Sequence, residues 1–295
     1  MRRLIINADD FGLTSGVNRA IVEAHQRGIV TAATLMANGR AFDQAAELAR
    51  TVPHLSVGCH VVLVDGEPLL PAQQVPTLLA SGGQQQRFRN SIGDLAAAAL
   101  RGRIDPAQVE AEAIAQMRKL QSAGLTLSHF DTHKHAHMFP AILRPLLRAA
   151  RACGVRALRN PFAPVKPLAF AHLLRRPRLW KRYSEVTALR RLLDNFRRAV
   201  QQEQMLTTDG TFGIVATGAL DARLFEAIVG CIPEGTWEFV CHPGYNDAEL
   251  DSVRTRLRQS RVQELQVLTS EAAREALQRH GVELISWKQL LASSC

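Results

Sequence analysis

The chain has 295 residues, 46% of them hydrophobic and 21% charged, a balance that excludes a disordered polypeptide and supplies core enough for one large α/β domain or two small ones. Its formal net charge of +9 points to an anionic partner without choosing between nucleic acid, membrane and phosphate. The five cysteines, Cys59, Cys153, Cys231, Cys241 and Cys295, are odd in number, widely spaced and form no CxxC pair, so neither a disulfide framework nor a Cys-type zinc site is indicated.

In chain order, Leu4-Ile5-Ile6 runs into Asn7-Ala8-Asp9-Asp10-Phe11-Gly12. A short apolar run closed by Gly predicts a buried strand, here ending at two adjacent carboxylates. In a parallel α/β protein such strand ends open onto the active face. Adjacent carboxylates repel unless a cation or a proton separates them. One division of labour gives one Asp to a metal and makes its neighbour the base toward water. The other reading is a surface turn with two solvated acids. Val17, Ala20, Ile21 and Ala24 predict a helix ending near Gly28, and Thr31 to Met36 a second strand. Phe42 to Ala49 predict a helix stopped by Pro53, and Leu55 to Val62 a third strand carrying His60. This β-α-β-α-β pattern requires parallel strands.

Residues 65–104 break the pattern. Pro68, Pro71 and Pro76, then Ser81-Gly82-Gly83 and Gln84-Gln85-Gln86, predict a long irregular insertion of the kind that forms lids or substrate walls. Asp105-Pro106 opens a helix as N-cap and first-turn proline, closed by Gly124. Leu125 to Phe130 is expected as the fourth strand and Val155 to Leu158 as the fifth, with a helix from Pro140 to Gly154 between them. A basic helical segment spans 172–204. Thr211 to Val215 and Trp237 to Cys241 are the next strands, the second ending at His242-Pro243-Gly244. Helices near 250–265 and 270–280, a strand at Val282 to Ile285 and a short helix capped by Ser286 complete the chain. About eight strands alternating with helices suit an irregular (β/α) TIM-like barrel, one domain over 1–295, better than an open sheet. Nothing approaches the ~18 unbroken apolar residues of a membrane span and no signal segment precedes the first strand, so the expected location is cytoplasmic.

The fourth strand leads into a cluster, His129, Asp131, His133, His135 and His137. On an extended segment these five would share one face, ~6.6 Å apart and spanning ~26 Å in all. One ion cannot use them all, and for most of the histidines a polar loop position is the plainer reading. Imidazole with carboxylate suits a catalytic divalent metal with open positions better than a closed structural site.

Taken together, Ile6 to Gly12, Val57-Gly58-Cys59-His60, Ser128 to His137 and Cys241-His242-Pro243 resemble the YdjC-like carbohydrate deacetylases over nearly the whole chain. Within that family, His133 to His137 and Val155 to Phe162 are most similar to the HpnK group associated with hopanoid biosynthesis. The resemblance implies a TIM-barrel-like fold and hydrolysis of the N-acetyl group of a glucosamine-type sugar, on a hopanoid glycolipid or, as the alternative, a soluble chitooligosaccharide. It places the metal ligands on Asp10, His60 and His133, the base on Asp9, and the acid that protonates the leaving amine on His242. Arg159-Asn160-Pro161-Phe162 is similar to the Arg-x-Pro-aromatic motif of NodB-type polysaccharide deacetylases, where the Arg holds the catalytic Asp. Arg159 takes that role by resemblance, with a surface salt bridge as the other reading.

Position argues the same way. Asp9 and Asp10, His60, His133, Arg159 and His242 each fall at or just past the end of a different predicted strand, and parallel strands bring those ends to one rim. Asp with two His suits Zn2+ and leaves Mg2+, manganese and cobalt open. A metal-dependent phosphoesterase or isomerase would use similar ligands but should add a Gly-rich phosphate loop at a helix start, and none is present. A nucleic-acid-binding protein would explain the charge, yet aromatic content is 5% and no nucleic-acid fold signature appears. Residues 171–205 hold nine Lys or Arg against three acids, six of the nine net positive charges. There Leu179, Trp180, Tyr183, Val186, Leu189, Leu193, Phe196 and Val200 form one helical stripe. It is either packed on the barrel or set against an anionic membrane or a lipid aglycone, a peripheral contact to the inner face of the cytoplasmic membrane.

Overall fold

A computed structural model describes residues 1–80 and 86–293; Ser81-Gly82-Gly83, Gln84, Gln85 and Cys295 lie outside the described residues. The first half runs β1 (Arg2–Phe11), α1 (Ser15–Gln26), β2 (Ala32–Leu35), α2 (Phe42–Thr51), β3 (Ser56–Val61), α3 (Ile92–Leu100), α4 (Pro106–Ser122), β4 (Phe130–Thr132) and α5 (Pro140–Ala152). The second runs β5 (Ala157–Leu158), α6 (Phe170–Leu174), α7 (Trp180–Leu189), α8 (Leu193–Gln202), β6 (Leu206–Thr207), β7 (Thr211–Phe212), α9 (Ala222–Val229), β8 (Gly235–Cys241), α10 (Ala248–Asp251), α11 (Gln259–Leu268), α12 (Glu271–Arg279), β9 (Val282–Leu284) and α13 (Trp287–Ala292). The strands pair in parallel in the order β6-β5-β4-β3-β2-β1-β8-β7, with β9 on β1. Asn160 draws the two edges together: its Nδ2 donates to the carbonyls of Thr208 and Asp209, and its own carbonyl accepts from Thr211 Oγ1. The result is an irregular TIM-like α/β barrel.

Period-2 alternation along β1 sorts the core into two layers. Leu4, Ile6 and Ala8 join the large cluster between sheet and helices, whereas Ile5 packs inside the barrel with Ala32, Ala157, Ile285, Trp287 and Leu290. Trp287 and Leu290 belong to α13, which starts from a capping box at Ser286 and is tied by Lys288 to Pro53, Leu55 and Ser56. This helix therefore plugs the end where β3 begins. The opposite end is left for polar side chains.

The expected elements stand with several differences. A ninth strand, β6, is two residues long and carries no periodicity. The strand expected at Thr211 to Val215 stops at Phe212 because Gly213 turns left-handed (φ +89), where a Cβ would stand 2.3 Å from Val240 O. The strand expected at Leu125 to Phe130 begins only at Phe130. The insertion contains α3, N-capped by Ser91. The basic segment is not one helix but α6, α7 and α8 joined through 3-10 turns. Its stripe mostly faces inward: Leu179, Leu193, Phe196 and Val200 are buried, Tyr183, Val186 and Leu189 pack against the core, and Trp180 is 49% exposed. No described helix is long and apolar enough to cross a membrane.

Candidate active site

Neighbouring residues on a regular strand point to opposite faces, yet both Asp9 and Asp10 reach the barrel mouth and are 3% exposed. The register of β1 on β2 slips between Ala8 and Phe11, and Asp10 adopts φ +68. A bulge with a left-handed residue re-aims a side chain, and non-Gly residues in that region cluster where function holds them.

Around Asp10 three donor atoms converge. Asp10 Oδ1 lies 3.6 Å from His60 Nε2 and 3.5 Å from His133 Nδ1, and the two ring nitrogens are 3.3 Å apart. An ion with tetrahedral bonds of ~2.1 Å sets its ligand atoms ~3.4 Å apart, so the three fit one divalent ion. The other oxygen of Asp10 is held by Arg261 Nη2 at 2.5 Å. Burial alone would raise the Asp10 carboxyl, but Arg261 and His133 hold it well below the usual range. His60 is oriented from behind: its Nδ1 lies 2.6 Å from Asp131 Oδ1, the arrangement by which a carboxylate fixes a ligating imidazole. Burial would lower the His60 ring, but Asp131, Asp9 and Asp10 lift it to about 9.

Asp9 is held differently. Arg159, fully buried, grips it with both nitrogens, Nη1 to Oδ2 at 2.8 Å and Nη2 to Oδ1 at 2.6 Å, and donates Nε to Glu238 Oε1 at 2.9 Å. Its Nη1 also reaches Asp131 Oδ2 at 2.6 Å. Asn7 and Thr34 donate to Asp9 Oδ1. Burial opposes ionisation, and Arg159 overcomes it, keeping Asp9 below the ordinary carboxylate range. Asp9, His60 and Asp131 also lie close enough to share an ion, but both carboxylates are already committed to Arg159, so this trio reads as a hydrogen-bonded support. Glu238 is left with an unpaired Oε2, and burial pushes its carboxyl up to about 7 against the pull of Arg159.

His242 follows β8. Its Nε2 is 4.0 Å from Asp9 Oδ2, its Nδ1 is 4.0 Å from Glu264 Oε2, and its backbone N–H donates to Glu264 at 2.6 Å. Burial lowers its pKa against the pull of Glu264 and Asp9. All six residues singled out by position, Asp9, Asp10, His60, His133, Arg159 and His242, therefore meet at one mouth. Arg159, 0% exposed, is not a surface salt bridge.

The other histidines separate. The extended face expected for 129–137 ends at Thr132, after which His133 to Met138 turns as a 3-10 helix with Lys134 and His135 left-handed. Lys134 is tied to Asp65 at 2.7 Å. His129 lies deeper, stacked on Trp287 and bonded to Asn7 and Ser128. His137 braces the turn, between Thr132 Oγ1 and the Arg159 carbonyl. His135 is beside the site with an unpaired Nδ1, and burial drops its pKa to about 3. The sequence pattern gives Asp131 no role and does not single out Thr34, Glu238, Arg261 or Glu264. A lone Glu inside the apolar run Trp237-Glu238-Phe239 was a usable signal; α11 offered none.

The model of the YdjC-like protein family matches residues 3–279. The chain is 33% identical over 290 residues to a carbohydrate deacetylase of Brevibacillus brevis, covering 98% of this chain and 99% of that one. It is 35% identical over 289 residues to a carbohydrate deacetylase of Geobacillus stearothermophilus, covering 98% of each. A crystal structure from Enterococcus faecalis V583, described as a candidate cellobiose-phosphate cleavage protein, superposes with a TM-score of 0.75 at 26% identity over 98% of each chain.

Proposed function

This chain belongs to the YdjC-like family and is a carbohydrate deacetylase, and we propose that it hydrolyses the acetamido group of an N-acetylglucosamine-type sugar with Asp10, His60 and His133 holding one divalent ion, Zn2+ or Mg2+. The observation that carries this reading is the convergence of Asp10 Oδ1, His60 Nε2 and His133 Nδ1 within 3.3–3.6 Å next to a second carboxylate that takes no part in it. When bound, such an ion polarises an acetyl carbonyl and makes water nucleophilic near neutral pH.

The remaining work falls to side chains. Asp9 Oδ2 takes the proton of the attacking water; Arg159 gives up some of that carboxylate's basicity to keep it ionised and aimed. Asp131 holds the His60 tautomer that leaves Nε2 free. His242 Nε2 delivers a proton to the departing nitrogen. Burial lowers its pKa against the pull of Glu264 and Asp9, which makes the protonated ring the stronger acid toward that nitrogen. The C–N bond breaks, the acetyl carbon gains its oxygen from water, and acetate and a free amine on the sugar result.

The hopanoid glycolipid substrate is supported by the similarity of His133 to His137 and Val155 to Phe162 to the HpnK group. Peripheral membrane contact is supported by exposed Leu174 and Trp180 among Arg175, Arg178 and Lys181. The test incubates purified protein with N-acetylglucosaminyl hopanoid and, separately, with N-acetylated chitooligosaccharide, and follows loss of one acetyl group by mass spectrometry. Deacetylation of the glycolipid alone is expected. Turnover of the oligosaccharide alone would overturn the lipid substrate, and turnover of neither would overturn the sugar deacetylase.

A further inference from the structure

Asp10 and His242 are both held by one helix. Arg261 and Glu264 lie three residues apart on α11, and so on one face, and both are buried. Glu264 Oε2 accepts the backbone N–H of His242, and the carbonyl of Arg261 accepts that of Gly244 at 3.2 Å. Gly244 permits this approach, because a Cβ there would stand 2.9 Å from Arg261 Cδ. The guanidinium thus reaches the mouth on a fixed stem. Its Nε donates to Leu257 O at 3.2 Å and its Nη2 to Asp10 Oδ2 at 2.5 Å.

That bond divides the Asp10 carboxylate. Oδ1 faces both His60 and His133; Oδ2 faces Arg261. A carboxylate can meet an ion with one oxygen or with both, and a catalytic site must keep a position open. We propose that Arg261 is a positioning residue for the ion site: it reserves Oδ2, so that Asp10 serves an ion through Oδ1 alone and the open side remains available to substrate and water. The proposal rests on the assignment of Asp10, His60 and His133 as ligands. It gives each neighbouring aspartate its own arginine with its own task. Arg159 aims Asp9 as a whole, by both oxygens, whereas Arg261 takes one oxygen of Asp10 out of use.

The test is a crystal structure of the wild-type protein with Co2+, together with the visible absorption of Co2+ in wild type, Arg261→Met and Arg261→Lys. In the wild type we expect Co2+ on Oδ1 with Oδ2 still on Arg261. In Arg261→Met, Co2+ should still bind at one equivalent, with a weaker visible band as Asp10 adds its second oxygen. There kcat should fall about 10–100-fold, the range for loss of a residue that orients a ligand, with KM changed by no more than about threefold. Arg261→Lys, which keeps the charge and one bond, should recover part of both signals and serves if the Met variant does not fold. Co2+ held by both oxygens in the wild type, or an unchanged band and kcat in Arg261→Met, would overturn the role of Arg261 while leaving the ligands in place. Co2+ absent from the three residues would overturn the ligand assignment beneath it.

Discussion

The barrel mouth and the segment from α6 to α8 are both dense in charge, and they handle it in opposite ways. At the mouth, Asp9, Asp10, Asp131, Glu238, Arg159 and Arg261 are all buried, and each of these four acids touches a guanidinium. Along the segment, Arg175, Arg178, Lys181, Arg191, Arg197 and Arg198 stand in solvent, and Arg176 pairs with Asp221 across the surface. Breaking a buried pair leaves an uncompensated charge and costs several kcal/mol; an exposed pair contributes about 0–1 kcal/mol. Charge is thus structural where it is buried and available for partners where it is not. Substitutions at the mouth should change ion binding, rate or stability, and substitutions along the segment should change association alone.

The largest effect is expected at the ion ligands. Asp10→Ala, His60→Ala and His133→Ala should each lose more than the ~10–100-fold in metal affinity that a supporting residue costs, with activity lost in step. Elemental analysis after gel filtration beside acetate release checks this. A variant that retains full metal and full turnover removes that residue from the ligand set. Next comes Asp9→Asn, nearly isosteric but unable to take a proton. It should keep the ion and lose on the order of 10²–10⁴ in rate. Loss of the ion instead would show that the two acids have exchanged roles.

How much of this was legible in the residues differs between the same two regions. Asp9, His60 and His242 stood out because each polar residue follows an apolar strand, and parallel topology alone gathers strand ends at one rim. The supports were illegible for a physical reason. Arg261 is 251 positions from Asp10 and sits on a helix whose buried residues, Arg261, Glu264, Leu265, Val267 and Leu268, mix charged with apolar side chains and so leave no clean stripe. The bulge at Asp10 also left no periodic trace, since one slipped residue cannot be read from composition. In the basic segment the stripe was visible as a pattern, but a pattern does not say what covers it. Leu193, Phe196 and Val200 are covered by the barrel itself.

A smaller effect sharpens the contrast from the buried side. Burial holds the Glu238 carboxyl at about 7, against an ordinary 4.5. Between those values the folded protein keeps a proton that the unfolded chain has lost. The stability contributed by Glu238 is therefore fully present below about pH 4.5 and lost as pH rises through about 7. Glu238→Gln should flatten this part of the curve. Its stability relative to wild type should rise by on the order of 1–3 kcal/mol between pH 4.5 and 8, read from urea unfolding of the ion-free proteins. A wild-type–variant difference that does not change with pH would mean that Glu238 stays ionised on Arg159 throughout.

The smallest change in the fold, and the clearest probe of the exposed region, is expected from Arg175→Gln, Arg178→Gln and Lys181→Gln combined. These three are exposed, whereas Arg176 is paired with Asp221 and Arg182 donates to the Thr217 carbonyl, so those two stay in place. Trp180 lies among them, 49% exposed, with its Nε1 donating to Leu173 O at 2.8 Å. That bond fixes the indole against the end of α6 with its polar handle satisfied, an arrangement that suits the boundary between water and lipid. Stability should shift by no more than about 0.5 kcal/mol, as for other surface changes. Near an anionic bilayer each basic residue contributes about 1 kcal/mol, so losing three should weaken vesicle binding by about two orders of magnitude. Co-sedimentation with anionic and neutral liposomes, at low salt and again at high salt, measures it. Wild type should bind anionic vesicles at low salt and release them at high salt, and the triple variant should fail to bind. Trp180→Ala should weaken binding while leaving its salt dependence intact, because it removes apolar contact and no charge. Equal binding by wild type and triple variant, or binding by neither, would make the segment a wall of the barrel and nothing more.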